Sequence, residues 1–489
     1  MKTPRQPNIV WIMAEDMGLD LECYGMKGVS TPNLNKFAEE GVQYRNAFCT
    51  NPICSPSRSA MMVGAHQVSI GAHNHRSKRE TPLTAPYEPI TAHLRRAGYT
   101  CILGHKDVQL MGQKTDCNFK HDKVGPYDGK TQFGLFDKLN EALPEDAPFY
   151  HHIQLNVTHR GDWWEEVRAG SEKPVDVHEV ELPPYIADTE INRLDWAAYL
   201  DTVEYMDREF GMLMADLEEK GLADNTYVVF IADNGRCQIR GKGYLYEPGL
   251  HIPMLVRGPG IEAGVIEERV VSTLDICASI FEWAGIEAPA YLEGRPVIGK
   301  KDFQGREYIY GARDIWDEIN ECSRSVCDGR YNLIHNRMPE VPWDAHQAYL
   351  DFYRPVVHEM RRLKEQGKLD EKTGIFFQDR KPELELYDWA RDPHEMNNLA
   401  DCPEAAEVLR KMRAMMEDYQ RSHRDMGLED LDDRHPMKKS PYQVRNWLQQ
   451  TDPARWEAVT KEVFVKFQAL EREFKALLAK EEIQESNQG

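Results

Sequence analysis

The chain has 489 residues, 41% of them hydrophobic, which is enough for about two packed units by surface-to-volume scaling. Its formal net charge of −21 excludes an extended basic face for nucleic acid or another polyanion, but exposed charges are screened beyond about 8 Å, so a local basic pocket stays compatible. No apolar run approaches the roughly 20 residues that insert across a membrane, and ten scattered cysteines without a CxxC pair read as reduced thiols rather than a disulfide framework.

The N-terminus, MKTPRQPNIVWIM, passes almost directly into a β-type run without a signal-peptide h-region. As written, the chain reads as cytoplasmic, or as the trimmed form of a periplasmic or secreted protein. NIVWIMAED, residues 8–16, predicts a buried strand ending in Glu15 and Asp16. TPNLNKFAEEG predicts a helix with Thr31 as N-cap, Pro32 in the first turn and Gly41 as stop. NPICSPSRSAMMVG, residues 51–64, predicts a helix with Ser55 as N-cap, Pro56 in its first turn and residues 57–63 helical. Cys54 then stands at the positive end of that helix with Arg58 one turn on, an arrangement expected to lower a thiol pKa and to cradle an oxyanion. A small buried residue at a turn is the plainer reading of a lone cysteine.

GAHNHRSKR, residues 71–79, offers His73, His75 and Arg76 as a sugar subsite or, more simply, as a solvated loop. It lacks partners at zinc-ligand spacing. GYTCILGHKD, residues 98–107, predicts a further strand running into His105 and Lys106, and FYHHIQLNVTH, residues 149–159, one that ends at His159. RLDWAAYLDTVEYMDREFGMLMADLEEKG carries Leu200, Val203, Met206, Phe210, Leu213 and Leu217 at helical spacing, with Gly221 after it. TYVVFIADNG, residues 226–235, predicts a strand ending in Asp233 and Asn234. STLDICASIFEWAG predicts a helix capped by Ser272 or Thr273 and stopped by Gly285.

Strands alternating with helices predict an α/β fold: a large domain over 1–300 with a mostly parallel sheet flanked by helices. Such sheets bind ligands at the carboxyl ends of their strands, so the polar residues at those ends should converge. Three acidic groups and an amide (Glu15, Asp16, Asp233 and Asn234) suit an all-oxygen site for Ca²⁺ or Mg²⁺, although either pair alone would suit turn or cap duty. After residue 300 the short strands of EYIYGARD, SRSVCDGRYNLIHN and ELELYDWARD precede charged helices. They predict a smaller α+β domain over 301–489 that ends in the amphipathic helix ARWEAVTKEVFVKFQALEREFKALLAKEE, packed on its own domain.

CSPSR with the following SAMMVG resembles the Cys-x-Pro-Ser-Arg signature of the formylglycine-dependent sulfatases of the alkaline phosphatase superfamily. NIVWIMAEDMG resembles that family's opening strand, FIADNG its second metal segment, and GKGYLYEPGLHIPMLV its later lysine-containing stretch, where the match falls on Lys242. RDPHEMNNLA and the serine-rich CSPSRS context look most like the heparan N-sulfatase branch and bacterial carbohydrate sulfatases. The resemblance implies hydrolysis of a sulfate ester or N-sulfate of a sulfated carbohydrate. A maturation enzyme would oxidise Cys54 to formylglycine, whose hydrate attacks sulfur and then expels sulfate. It implies Ca²⁺ held by Glu15, Asp16, Asp233, Asn234 and modified Cys54, with Arg58 holding the modified side chain. His159 and Lys242 would contact sulfate and help protonate the leaving group.

Two departures stand out. Glu15 occupies a usual aspartate position, and Gly104-His105-Lys106-Asp107 stands where the family has Gly-Lys-x-His, leaving His105 or Lys106 to reach sulfate. A phosphodiester or phosphonate monoester hydrolase of the same superfamily, or a non-catalytic glycan-binding relative, are the alternatives. Oligomeric state is not legible.

Overall fold

The structure is a computed structural model that describes residues 6–429 apart from 78, 127–133, 140–147, 162, 318 and 346–353. The predicted C-terminal amphipathic helix, 454–482, lies outside the described residues.

The strands of the first part of the chain are β1 (Asn8–Ala14), β2 (Val42–Tyr44), β3 (Ala47–Phe48), β4 (Thr100–Leu103), β5 (Lys138–Leu139), β6 (Phe149–Leu155), β7 (Thr226–Ala232), β8 (Met254–Arg257), β9 (Val265–Glu267) and β10 (Val271–Ser272). Among the described residues they form an eight-stranded sheet in the order β5-β4-β6-β1-β7-β8-β2-β9, beside a small β10-β3 pair. Pairing is parallel except where β8 runs against β7 and β2. Central β1 and β6 are buried at every position, as expected where helices cover both faces and the strand reads as a near-continuous apolar run.

Register makes the site. Ala14 lies opposite both Leu155 of β6 and Ala232 of β7. The Glu15 N–H donates to the Leu155 carbonyl and the Asp233 N–H to the Ala14 carbonyl, each at 3.1 Å. The predicted strand ends therefore open onto one edge of the sheet, as the parallel topology requires.

The helices used below are α1 (Pro32–Glu39), α2 (Cys54–Val63), α3 (Glu190–Glu219), α4 (Thr273–Trp283) and α5 (Ala406–Ser422). In α1 the Thr31 hydroxyl does not cap the helix; it accepts the Glu22 N–H instead. Gly41 is there for close approach, since a Cβ would meet the Val256 carbonyl oxygen at 2.2 Å. The six apolar positions predicted for α3 are all buried, and Phe210 packs edge-on between Phe37 and Phe230, at centroid separations of 5.0 and 5.3 Å. Ser272 caps α4 in a reciprocal box with Asp275, and Gly285 follows at φ 66°.

From residue 309 a second sheet forms from β11 (Ile309–Arg313), β12 (Ser323–Cys327), β13 (Tyr331–Asn336) and β14 (Leu384–Asp388), all antiparallel. α5 lays Met412, Met415, Met416 and Tyr419 against Tyr310, Val326, Leu333 and Leu386. No described helix is long and apolar enough to cross a membrane.

Candidate active site

α2 begins at Cys54, not at Pro56, with Ile53 as its N-cap. The Asn51 side chain accepts the Ile53 N–H at 2.9 Å and turns the chain early. Ser55, expected as the cap, serves another end: its hydroxyl bonds His75 Nδ1 at 2.8 Å and accepts the Arg76 N–H at 3.0 Å. Cys54 is thus the first helical residue, buried, with Sγ 3.6 Å from Asp16 Oδ1. The expected lowering of its pKa is not found. Burial pushes the thiol up, and the nearby Lys114 and Lys242 offset only part of that.

Around it the carboxylates are held by cations. Arg58 reaches Glu15 Oε1, donates to Asp233 Oδ2 at 2.9 Å, and donates to Gln154 Oε1 at 2.6 Å. Asp233 Oδ1 accepts the backbone N–H groups of Asp16 and Asn234 at 3.0 and 2.9 Å, which locks the two strand ends together. Asp16 sits at φ 43°, a left-handed turn that aspartate tolerates, and accepts Lys242 Nζ at 2.7 Å and Asn234 Nδ2 at 3.0 Å. Burial opposes its charge, but Lys242, His159 and Lys114 outweigh burial and hold the Asp16 carboxyl well below the usual carboxylate range. Burial likewise opposes charge on Glu15, and Lys114 and Arg58 draw its pKa down. Asp233 goes the other way, raised by burial and by the charge of Glu15.

Lys242 is delivered by flanking glycines. A Cβ on Gly241 would meet the Arg236 carbonyl oxygen at 2.1 Å, and Gly243, at φ 92°, packs against Trp316. Lys242 Nζ lies 3.5 Å from His159 Nε2, and that ring is 3.7 Å from Asp16 Oδ2 and 3.9 Å from Glu15 Oε2. Burial, with Lys242 beside it, pushes the His159 pKa down to about 3.

The structure therefore gathers Glu15, Asp16, Cys54, Arg58, His159, Asp233, Asn234 and Lys242. His73 and His75 are buried, so a solvated loop does not describe them, while the Arg76 side chain is half-exposed. His105 and Lys106 point elsewhere. His105 faces Asp107 and Asp216, and the exposed Lys106 ammonium bonds Asp107 at 2.6 Å. The lysine that does reach the pocket is Lys114, which donates to Glu15 Oε2 at 2.5 Å. Sequence reasoning missed it because a single lysine in an irregular stretch carries no periodic signal. The nearest hint was the altered motif just upstream.

The sequence model of the Sulfatase family matches residues 7–286. The chain belongs to the sulfatase family. This sulfatase is 30% identical over 460 residues to an ulvan-active sulfatase of Formosa agariphila, covering 84% of this chain and 74% of that one. It is 27% identical over 464 residues to human N-sulphoglucosamine sulphohydrolase, covering 85% and 90%. In fold it resembles an enzyme solved with its substrate D-glucosamine-2-N,6-O-disulfate, with a TM-score of 0.58 at 16% identity over 89% of this chain and 100% of that one. At that identity the likeness concerns the fold.

The family implies a formylglycine and a divalent metal, and the sulfatase's own residues fit such an ion. Oxygen donors from Glu15 and Asp16 lie together with the Cys54 and His159 side chains. Among the described residues nothing donates to the buried Asn234 Oδ1, while its amide nitrogen is fixed on Asp16 and the Gly235 carbonyl. A buried carbonyl oxygen beside two carboxylates is costly without a partner, and a hard cation supplies one.

Proposed function

We propose that this sulfatase cleaves the sulfate ester or N-sulfate of a carbohydrate through a formylglycine hydrate made from Cys54 by a maturation enzyme. The observation that carries the reading is the position of Cys54. It is the first residue of a buried helix, 3.6 Å from Asp16, inside a ring of Arg58, Lys114, Lys242 and His159. The raised thiol pKa fits a cysteine that acts only after oxidation.

Glu15, Asp16, Asn234 and residue 54, with Asp233, would hold Ca²⁺ or, less suited to so many protein ligands, Mg²⁺. The ion would supply positive charge against the sulfate oxygens. The helix N-terminus and the Lys114 and Lys242 ammonium groups favour an anion over residue 54. Arg58 fixes Glu15 and Asp233 and so holds the strand ends still. One hydroxyl of such a hydrate, giving up its proton, would form an O–S bond as the bond from sulfur to the sugar oxygen or nitrogen breaks. Lys242 and His159 lie side by side where a proton can reach that leaving atom. The second hydroxyl then loses its proton, the aldehyde re-forms and sulfate departs. His75 and Arg76 sit beside Ser55 and, with His73, would line the sugar subsite.

The test is sulfate release, by ion chromatography, from glucosamine N-sulfate and from 6-O-sulfated N-acetylglucosamine, with phosphate and phosphonate monoesters alongside. Release from either sugar, lost in Cys54→Ala, supports the reading. Turnover of the phosphorus esters alone contradicts it.

A further inference from the structure

At the rim of the pocket, loop 71–79 and the stretch ending at Asn118 are clasped together. Asn118 Nδ2 donates to the Ala72 and Asn74 carbonyls, both at 2.8 Å, and the Asn118 N–H donates to Ser59 Oγ on α2 at 2.8 Å. The clasp places Asp116 against three cations: Arg79, Arg76 with Nε at 3.4 Å, and Lys114 at 3.8 Å. Arg76 is also tethered through its N–H to Ser55, the neighbour of Cys54. Both Arg76 and Asp116 sit at φ 49°, a conformation unfavourable for an arginine that these contacts maintain.

The charges do not cancel as a closed pair would. The carboxylates that face Arg76 are Asp116 and Asp317, the latter 3.5 Å from His75 Nε2. Glu15, the other partner of Lys114, already has Arg58. One cation would neutralise Asp116, yet two guanidiniums converge on it. Each carries more N–H donors, in a rigid fork, than a shared carboxylate can take. Asp116 is buried, with 7% of its side chain exposed, whereas Arg76 and Arg79 are 49% and 41% exposed. Forked donors on the accessible side of a buried carboxylate, in a protein of net charge −21, form an oxyanion-recognition shelf.

We propose that Arg76 and Arg79, set in place by Asp116, bind a second anionic group of the substrate, either a further sulfate on the sugar whose sulfate is cleaved at residue 54 or the carboxylate of an adjoining uronic acid. This rests on the reading of the Cys54 pocket as a sulfated-sugar site. It narrows the substrate class to sugars carrying two anions.

The experiment is calorimetric binding to the Cys54→Ala protein in calcium buffer. The probes are glucosamine N-sulfate, D-glucosamine-2-N,6-O-disulfate, and a uronic acid–N-sulfoglucosamine disaccharide. At least one two-anion probe is expected to bind about ten-fold or more tighter than the single-anion probe. Preference for the disulfate identifies the second group as sulfate, and preference for the disaccharide identifies it as carboxylate. Arg79→Gln should shrink the preference to within about two-fold, and Arg79→Lys should restore part of it. Arg76→Gln is the second variant, because its backbone stays anchored to Ser55, and melting curves confirm folding of each. No preference in the unsubstituted subsite, no binding of any probe, or a preference untouched by both variants overturns the proposal. Sulfate release by the matured protein is measured in parallel. Release without a binding preference sinks this proposal alone, and a preference without release sinks the functional reading alone.

Discussion

The pocket around Cys54 and the core around Arg324 both bury carboxylates against arginine, and they differ in what holds the remaining charge. Arg324, on β12, is fully buried. It grips Asp425 with Nε and Nη2 at 2.6 and 2.8 Å, Asp314 at 3.1 Å, and the carbonyls of Arg313 and Ser323 with Nη1. Tyr310 adds its hydroxyl to Asp425 at 2.8 Å. That cluster is a fastener between the second sheet and the segment after α5. In the Cys54 pocket Arg58 does the bracing, and two lysines meet Glu15 Oε2 and Asp16 Oδ2. A guanidinium is a fixed fork, while an ammonium on a flexible stem is a movable point charge. A lysine stem can swing away from Glu15 or Asp16 at less cost than a bidentate arginine fork can be unmade. The difference separates a site built to exchange ligands from one built to stay shut.

The sharpest break in that comparison is Cys54→Ala. Catalysis should fall by a factor on the order of 10⁴ or more while the melting temperature moves only a few degrees. Arg324→Met should do the reverse. Leaving Asp314 and Asp425 buried without their partner should cost about 3–5 kcal/mol in urea unfolding, while turnover per folded molecule is retained. Next comes the ion. Calcium at about 100 times its Kd should stabilise the wild-type protein by about 2.7 kcal/mol, and Asp16→Asn should lose most of that response in a thermal-shift titration. The smallest effect belongs to Lys106→Ala. Its ammonium is exposed on Asp107, so kcat/KM should change by no more than about two-fold and the urea-unfolding midpoint should stay where it is.

Much of this was legible before any coordinates. Continuous apolar runs that stop abruptly at Glu15-Asp16, at Asp233-Asn234 and short of His159 mark buried parallel strands, and parallel topology then brings their ends together. The apolar spacing from Leu200 to Leu217 read correctly for the same reason, because burial on one helix face leaves a period. The rest depended on tertiary partners that leave no local trace. Ser55 looks like an N-cap in isolation, but His75 and Arg76 claim its hydroxyl. The Cys54 thiol looks activated by its helix end, but the depth of the pocket decides its pKa. Lys114 stands beyond the 104–107 motif that carries the expected basic residue, and Asp116 gathers Arg79 across more than thirty residues of sequence.

The central claim is that turnover belongs to a modified residue 54. Protein preparations made with graded amounts of the maturation enzyme can be assayed for sulfate release from a sulfated glucosamine. The fraction of Cys54 converted to formylglycine is read on the same samples by peptide mass spectrometry. The account predicts a straight line through the origin. Sulfate release from fully unmodified protein, or release unrelated to the converted fraction, would contradict it.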